Sequence, residues 1–179
     1  MKILVVSNMY PSNNDKVYGS FVKSFVDGIS SLSDGTLNLD FALIHGRSYH
    51  FYEKVYKYFI FYSLLLFKLL TKKYDVIYVH QITHATPILL LSNFIRKQKI
   101  IFNIHGEDLL TATWISGMLL KTTIPLLERA EKIVVPSLFF KDVLLSFKWN
   151  ISNDKIIISE SGGVDNSVFK FSEFNGRGY

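Results

Sequence analysis

Short runs of apolar, mostly β-branched residues alternate along the chain with longer segments in which apolar residues recur at helical spacing. The six runs are Lys2–Ser7, Leu37–Ile44, Asp75–Val79, Lys99–Ile104, Lys132–Val135 and Lys155–Ser159. Most lack polar alternation, which is typical of strands buried on both faces of a parallel sheet. We therefore predict six buried strands.

The segments between the runs are predicted to be helices. Two of them show apolar residues three or four apart, namely Phe21, Phe25, Ile29 and Leu32, and then Phe140, Val143, Leu144 and Phe147 after an N-cap at Ser137. Thr86–Ile95 and Gly117–Ala130 are two further helices. Pro87 is tolerable in a first turn, whereas Pro125 should kink or divide its helix.

Alternation of strands and helices predicts one α/β domain with a Rossmann-like, doubly wound parallel sheet of about six strands. We assign this domain to residues 1–161. The polar, glycine-containing residues 162–179 are interpreted as an interdomain junction or linker with a tail.

Composition narrows the functional classes. The 179 residues include no cysteine, which excludes disulfides and cysteine-ligated zinc. The net charge of +5 suggests an anionic partner, but the basic residues are scattered and no nucleic-acid-binding motif accompanies them, so we expect no nucleic acid. The longest apolar run, Tyr58 to Phe67, is too short to cross a bilayer, and the N-terminal run is too short for a signal peptide.

Ligands of open parallel sheets bind beyond the carboxyl ends of the strands. The loop after the first strand ends at Gly19 and Ser20, where a helix opens. A glycine there lets backbone N–H groups approach a phosphate, although an ordinary turn would look the same in sequence.

The fourth strand runs into a turn with the sequence His105-Gly106-Glu107-Asp108. The imidazole of His105 is suited to orient or neutralise a phosphate, or to handle a proton near neutral pH. The alternative is structural: Asp108 caps a helix and His105 bonds a backbone group.

His80 and His84 follow the third strand four residues apart. That spacing can bind a metal on a helix, but no HExxH glutamate or third ligand accompanies it, so we predict a polar pocket edge and no metal. The candidate substrate- or phosphate-binding residues of these loops are Gly19, Ser20, His80, Glu107, Asp108 and Ser137.

The segment from Tyr52 to Lys73 is both aromatic and basic. On a helix, four lysines fall near one face: Lys54, Lys57, Lys68 and Lys72. Such a helix could lie in a membrane interface with the lysines toward anionic head groups, or be a buried crossover helix with solvated lysines.

Five motifs in order resemble family 4 (group 1) glycosyltransferases over almost the whole chain. They are Ser7-Asn8-Met9-Tyr10-Pro11 with Tyr18-Gly19-Ser20-Phe21-Val22, Asp75-Val76-Ile77-Tyr78-Val79-His80, Ile104-His105-Gly106-Glu107-Asp108, Val134-Val135-Pro136-Ser137, and Lys155–Ser159 followed by Gly162-Gly163-Val164-Asp165 and Phe169.

The resemblance implies the N-terminal half of a GT-B architecture, with the acceptor on this domain and the nucleotide-sugar donor mainly on a second one. It implies retention at the anomeric carbon, with no metal or other cofactor. Together with the rule of short right-handed crossovers, it implies the strand order 2-1-3-4-5-6.

The same resemblance implies roles for individual residues. Gly19 would face the donor diphosphate, and His105, as the catalytic residue, would touch the transferred sugar or its phosphate. Asp108 would shape the acceptor side of the turn. Gly163 and Asp165 would lie in the interdomain junction, where Gly162 replaces the family's asparagine.

We therefore expect the acceptor-binding domain of a retaining glycosyltransferase that serves surface polysaccharide or glycolipid assembly. The expected partners are a nucleotide sugar, a saccharide or lipid-linked acceptor and an anionic membrane surface, at the cytoplasmic side of the cell membrane. The family's paired glutamates do not occur here, so we expect no catalysis from these 179 residues alone. Two alternatives are half of a nucleotide-sugar 2-epimerase and a non-catalytic, flavodoxin-like binding domain.

Overall fold

The computed structural model of the chain describes residues 1–33, 35–106, 109–110 and 114–159. Strands and helices alternate through it. The elements are β1 (Lys2–Tyr10), α1 (Ser20–Leu32), β2 (Asn38–His45), α2 (Phe51–Thr71), β3 (Val76–His80), α3 (Ile82–Ile95), β4 (Ile100–Asn103), α4 (Trp114–Arg129), β5 (Lys132–Val135), α5 (Leu138–Ser146) and β6 (Ile156–Ile158). A short 3-10 helix, Asn153–Lys155, precedes β6.

The six strands form one parallel sheet in the order β2-β1-β3-β4-β5-β6. The predicted order and the predicted Rossmann-like α/β class are both confirmed. The chain leaves β1 toward β2 on one side and returns to β3 on the other. The strand order therefore reverses between β1 and β3, and sheets of this kind bind ligands at such a point, beyond the carboxyl ends of the strands.

Helices cover both faces of the sheet, as the alternating side chains of β1 show. Ile3 and Val5 pack with Val26 of α1 on one face. Leu4 and Val6 belong to the larger cluster on the other face, which includes buried residues of α2, α3, α4 and α5. Because both faces are covered, the strands read in sequence as continuous apolar runs.

Strand β1 is longer than predicted, since it reaches Tyr10 rather than ending at Ser7. Its pairing with β2 shifts register between Ser7 and Tyr10. There the Ser7 hydroxyl donates to the Met9 carbonyl at 2.9 Å, and the Met9 N–H bonds back to Ser7 Oγ at 3.1 Å. This local bonding takes the place of regular strand pairing. The sequence predicts a loop here because polar Ser7 and Asn8 follow the apolar run.

The prediction for Pro87 was wrong, and Pro125 does not divide its helix. Helix α3 begins at Ile82, so Pro87 lies in its second turn rather than its first. Helix α4 is one continuous element that contains Pro125. Leu120 before this proline and Leu126 and Leu127 after it are all buried, and this packing on both sides holds the helix together.

The described residues include no helix that combines the length and apolar character needed to cross a membrane.

Candidate functional site

The site lies at the carboxyl ends of β1, β3, β4 and β5, which meet at one edge because the strands are parallel. His80 is the last residue of β3, and His105 is the second residue after the end of β4. Ser137 follows β5 and opens α5. The polar residues that follow separate strands in sequence therefore lie along the same edge.

His80 and His105 are in direct contact. Nδ1 of His80 lies 3.1 Å from Nε2 of His105, and the two ring planes differ by 15°. His80 is buried, and its other nitrogen, Nε2, has no hydrogen-bond partner among the described residues. The contact with His105 is thus the hydrogen bond that orients the His80 ring.

Both imidazoles are neutral at pH 7. Burial lowers the pKa of His80 to about 3, with a smaller contribution from the neighbouring His105. Burial also lowers the pKa of His105 to about 4. A neutral imidazole carries one N–H donor and one acceptor nitrogen. The resting pair can therefore offer hydrogen bonds to a ligand, but no positive charge.

Aromatic rings surround the histidine pair on the α1 side. The Phe21 ring lies 4.3 Å from the His105 ring, and the Phe25 ring lies 4.7 Å from that of His80. Tyr78 stacks on Phe25 at 4.3 Å, and its hydroxyl accepts a hydrogen bond from Asn103 Nδ2 at 3.2 Å.

Sequence reasoning placed Phe21 and Phe25 in a helix pattern, and Phe21 also in a family motif, but gave neither a role in the site. It also missed Tyr78 and Asn103 as part of the site. The signal was available for one of them. Tyr78 is two residues before His80 on a strand, so both side chains point to the same face.

Gly19 sits where the first loop meets α1. Its φ of +72° is in the left-handed region, and a Cβ there would lie 2.5 Å from the Met9 carbonyl carbon. Phe21, two residues further along, touches His105. The turn at Gly19 and the histidine pair are therefore at the same edge of the sheet. Ser20 is exposed as the first residue of α1.

Gln81 is a further residue that sequence reasoning missed. It connects His80 to α3 with a φ of +58°, which is uncommon for a residue other than glycine. Its side-chain Nε2 lies 2.7 Å from Sδ of Met9, which links the ends of β3 and β1. Strained backbone of this kind persists where the surrounding structure imposes it, often at functional sites.

Gly106 also has a positive φ, +83°, and a Cβ there would lie 2.7 Å from the ring of Phe140 in α5. Ser137 is the N-cap residue of α5 as predicted, but its side chain makes no capping hydrogen bond. The remaining candidates fall outside the described residues: Glu107, Asp108, Gly163 and Asp165.

Three of the four predicted membrane-facing lysines make contacts within the fold. Lys68 and Lys72 both pair with the Asp40 carboxylate on β2, the latter at 2.8 Å. Burial would raise the pKa of Asp40, but these bonds and one from the Tyr74 hydroxyl hold it well below its usual range.

Lys57 pairs with Glu53 and donates to the carbonyls of three consecutive residues, 45–47. Lys54 is exposed, and no ion pair of its side chain occurs within the part of the chain that the structure describes. That part also contains no cluster of three histidine, cysteine or acidic residues that could hold a metal ion.

Comparison with solved structures supports the fold. The UDP-GlcNAc 2-epimerase from Methanocaldococcus jannaschii is similar at 14% identity and a TM-score of 0.55, covering 88% of this chain and 45% of that one. Another UDP-N-acetylglucosamine 2-epimerase is similar at 14% identity and a TM-score of 0.53, and the match covers 88% of this chain and 47% of that protein. The chain thus spans less than half the length of these proteins, and likeness at this identity concerns the fold alone.

No curated protein matches the chain. A sequence profile described as Glycosyltransferase Family 4 matches residues 25–162, which is most of the length of this chain. That match includes both His80 and His105 and agrees with the N-terminal domain of a GT-B enzyme. The chain belongs to Glycosyltransferase Family 4.

Proposed function

We propose that this chain is the acceptor-side domain of a retaining glycosyltransferase. It would transfer a sugar from a nucleotide-sugar donor to a saccharide or lipid-linked acceptor in surface polysaccharide or glycolipid synthesis, at the cytoplasmic face of the cell membrane. The observation that carries the proposal is the contact of His80 with His105 beside the Gly19 turn, at the edge where such sheets bind ligands.

In this proposal the site acts by placing neutral hydrogen-bond donors where charge develops. Negative charge accumulates on the leaving diphosphate as the glycosidic bond breaks, and fixed donors stabilise it. His105 donates to an oxygen of the transferred sugar or its phosphate, and His80 holds its ring in place. Gly19 has no Cβ, so the turn can pack against the Met9 backbone and present the N-terminal end of α1 to the diphosphate.

A genetic experiment tests the proposal and does not require the donor sugar to be identified first. Deleting the segment that encodes this chain should leave a surface glycan or glycolipid short of one sugar, with the truncated precursor accumulating. Wild-type protein and His50→Ala should restore the glycan. His105→Ala, expressed at the same level, should slow transfer about 100-fold, as loss of one donor to a developing charge does. Unchanged glycans after deletion would refute the proposal.

One alternative is a nucleotide-sugar epimerase, with which the fold shared with UDP-N-acetylglucosamine 2-epimerases is compatible. The same deletion distinguishes an epimerase from a transferase. Loss of an epimerase removes one nucleotide sugar from the cytoplasmic pool, so every glycan that contains this sugar changes. Loss of a transferase leaves that pool intact.

We also propose that α2 docks on a membrane. One side of this helix exposes a mostly apolar and aromatic face, interrupted by Ser63 and formed by Tyr52, Tyr56, Phe59, Ile60, Leu64, Phe67 and Leu70. None of these residues is charged, and the face runs about 30 Å along the helix. Aromatic rings with basic residues alongside suit the boundary between head groups and acyl chains of an anionic bilayer.

Sedimentation with vesicles tests this docking. We expect the chain to bind vesicles containing phosphatidylglycerol and to bind less as salt is raised, since cations such as Lys54 and Lys73 are exposed. The double variant Phe59→Ser/Phe67→Ser should bind at least tenfold more weakly, because it removes two exposed rings that would insert among the acyl chains. Leu32→Ser, which removes an exposed apolar residue of α1, should bind normally. Binding that ignores lipid charge would contradict the proposal.

A further inference from the structure

A cavity of about 300 Å³ opens at the carboxyl ends of β1 and β2, beside the first turns of α2. Its lining includes Asn8, Arg47, Lys54, Tyr58 and His84, with no carboxylate among the lining residues. Asn8 is only 7% exposed, and its Oδ1 has no hydrogen-bond partner among the described residues. The cavity is thus polar, cationic and incompletely satisfied.

The loop that carries Arg47 is held in place by α2. Lys57 donates to the carbonyls of residues 45, 46 and 47 at 3.0 to 3.3 Å. Arg47 lies over the Tyr18 ring, and its Nε is 3.4 Å from Asp15. Asp15 offsets part of the charge of Arg47, so Lys54 is the cation of the lining whose charge is not offset by an ion pair in the described residues.

Two neutral groups complete the polar lining. Burial raises the pKa of Tyr58 to about 12, so its hydroxyl stays protonated, and this oxygen accepts a bond from Asn8 Nδ2 at 3.4 Å. The Tyr58 proton remains available to a ligand. Burial, and then the charge of Lys54, lower the pKa of His84, whose ring lies 5.7 Å from that of Tyr58.

A second, mostly apolar pocket of about 330 Å³ adjoins the first. It is lined by Phe51 and Val55 together with Lys54, Tyr58 and His84, which belong to both linings. Phe51, Val55 and Phe59 are four residues apart on α2, so they form one exposed row. A ligand seated across both pockets therefore meets cations at one end and an apolar surface at the other.

We propose that these two pockets bind an anionic amphiphile, with a phosphate ester between Arg47 and Lys54 and the first carbons of its chain against Phe51 and Val55. Under the proposed function this ligand is the lipid-linked acceptor. The inference rests on that function for the ligand's role, but its binding can be measured without any transfer reaction.

Binding is measured on the 179-residue chain by following the His84 imidazole signals in NMR. The probes are decyl phosphate, decyl glucoside and inorganic phosphate, each below the concentration at which micelles form. Decyl phosphate should bind at least tenfold more tightly than either of the others, since only it engages both pockets. Lys54→Gln should weaken it about tenfold, whereas Lys121→Gln, an equal loss of charge on an exposed lysine of α4 outside the lining, should change binding less than twofold.

Val55→Ser separates the two pockets, since it should weaken decyl phosphate but not inorganic phosphate. If decyl glucoside bound as tightly as decyl phosphate, the binding would be detergent-like adsorption. If inorganic phosphate bound as tightly as decyl phosphate, the pocket would be a site for free anions. Either result, or equal losses for the two lysine variants, overturns the inference. If one of these contradicting results is obtained but the deletion still gives the expected glycan phenotype, the inference fails and the proposed function stands.

Discussion

Gly19→Ala is expected to lower the free energy of unfolding by about 3 kcal/mol, since two penalties of about 1–2 kcal/mol or more combine. The first is conformational, because φ is +72° and residues with a Cβ rarely adopt it. The second is steric, because the new Cβ would lie 2.5 to 2.7 Å from backbone atoms of Met9 and Tyr10. Backbone on a strand cannot move aside as a flexible side chain can.

Gly28→Ala is the matched control for this experiment. Gly28 lies within α1, and a Cβ there would meet nothing within 4 Å. Alanine favours helix over glycine, so this variant should gain about 0.5–1 kcal/mol. Urea unfolding of both variants gives the comparison. If Gly19→Ala were as stable as the wild type, the turn would not have the close approach that we assign to it.

Acid is expected to destabilise the protein by about 4 kcal/mol between pH 7 and pH 5 through the histidine pair. Unfolded histidine takes up a proton near pH 6.5, whereas folded His80 and His105 do so only near pH 3 and 4. The unfolded state therefore binds more protons in this window. Stability is full above pH 6.5 and falls as the pH drops toward 4, by about 2 kcal/mol per imidazole at pH 5.

The measurement is the free energy of unfolding in urea at several pH values. The double variant His80→Asn/His105→Asn should lose most of this pH dependence, keeping a smaller slope from His84, whose pKa is also lowered. His50→Gln should keep the full slope, because His50 is exposed. A wild-type protein equally stable at pH 5 and pH 7 would show that the two imidazoles are not buried as neutral groups.

The strands and their order were predictable because burial on both faces leaves a strong signal. Runs such as Asp75–Val79 and Lys132–Val135 match β3 and β5 within a residue. Helix boundaries were harder, because tertiary packing overrides local preference. Pro125 lies within one helix since buried leucines flank it, and α3 begins at Ile82, which is fully buried.

Part of the site could also be predicted from the sequence. The rule that parallel strands present their carboxyl ends at one edge brings Gly19, His80 and His105 to the same edge. No local pattern reveals that the two imidazoles touch, because His80 and His105 are 25 residues apart in the sequence. Likewise, the sequence indicates a basic aromatic helix, but only the fold pairs Lys68 and Lys72 with Asp40 and leaves Lys54 beside a cavity.

The claim on which the proposed function depends most is that a diphosphate binds beside His105. Histidine-selective NMR of the chain during addition of inorganic pyrophosphate tests it directly. We expect the His105 and His80 signals to shift together and saturably, with the pKa of His105 rising as the anion binds, while His50 stays unchanged. Shifts confined to His50 and other exposed groups, with the pair unaffected, would contradict the claim.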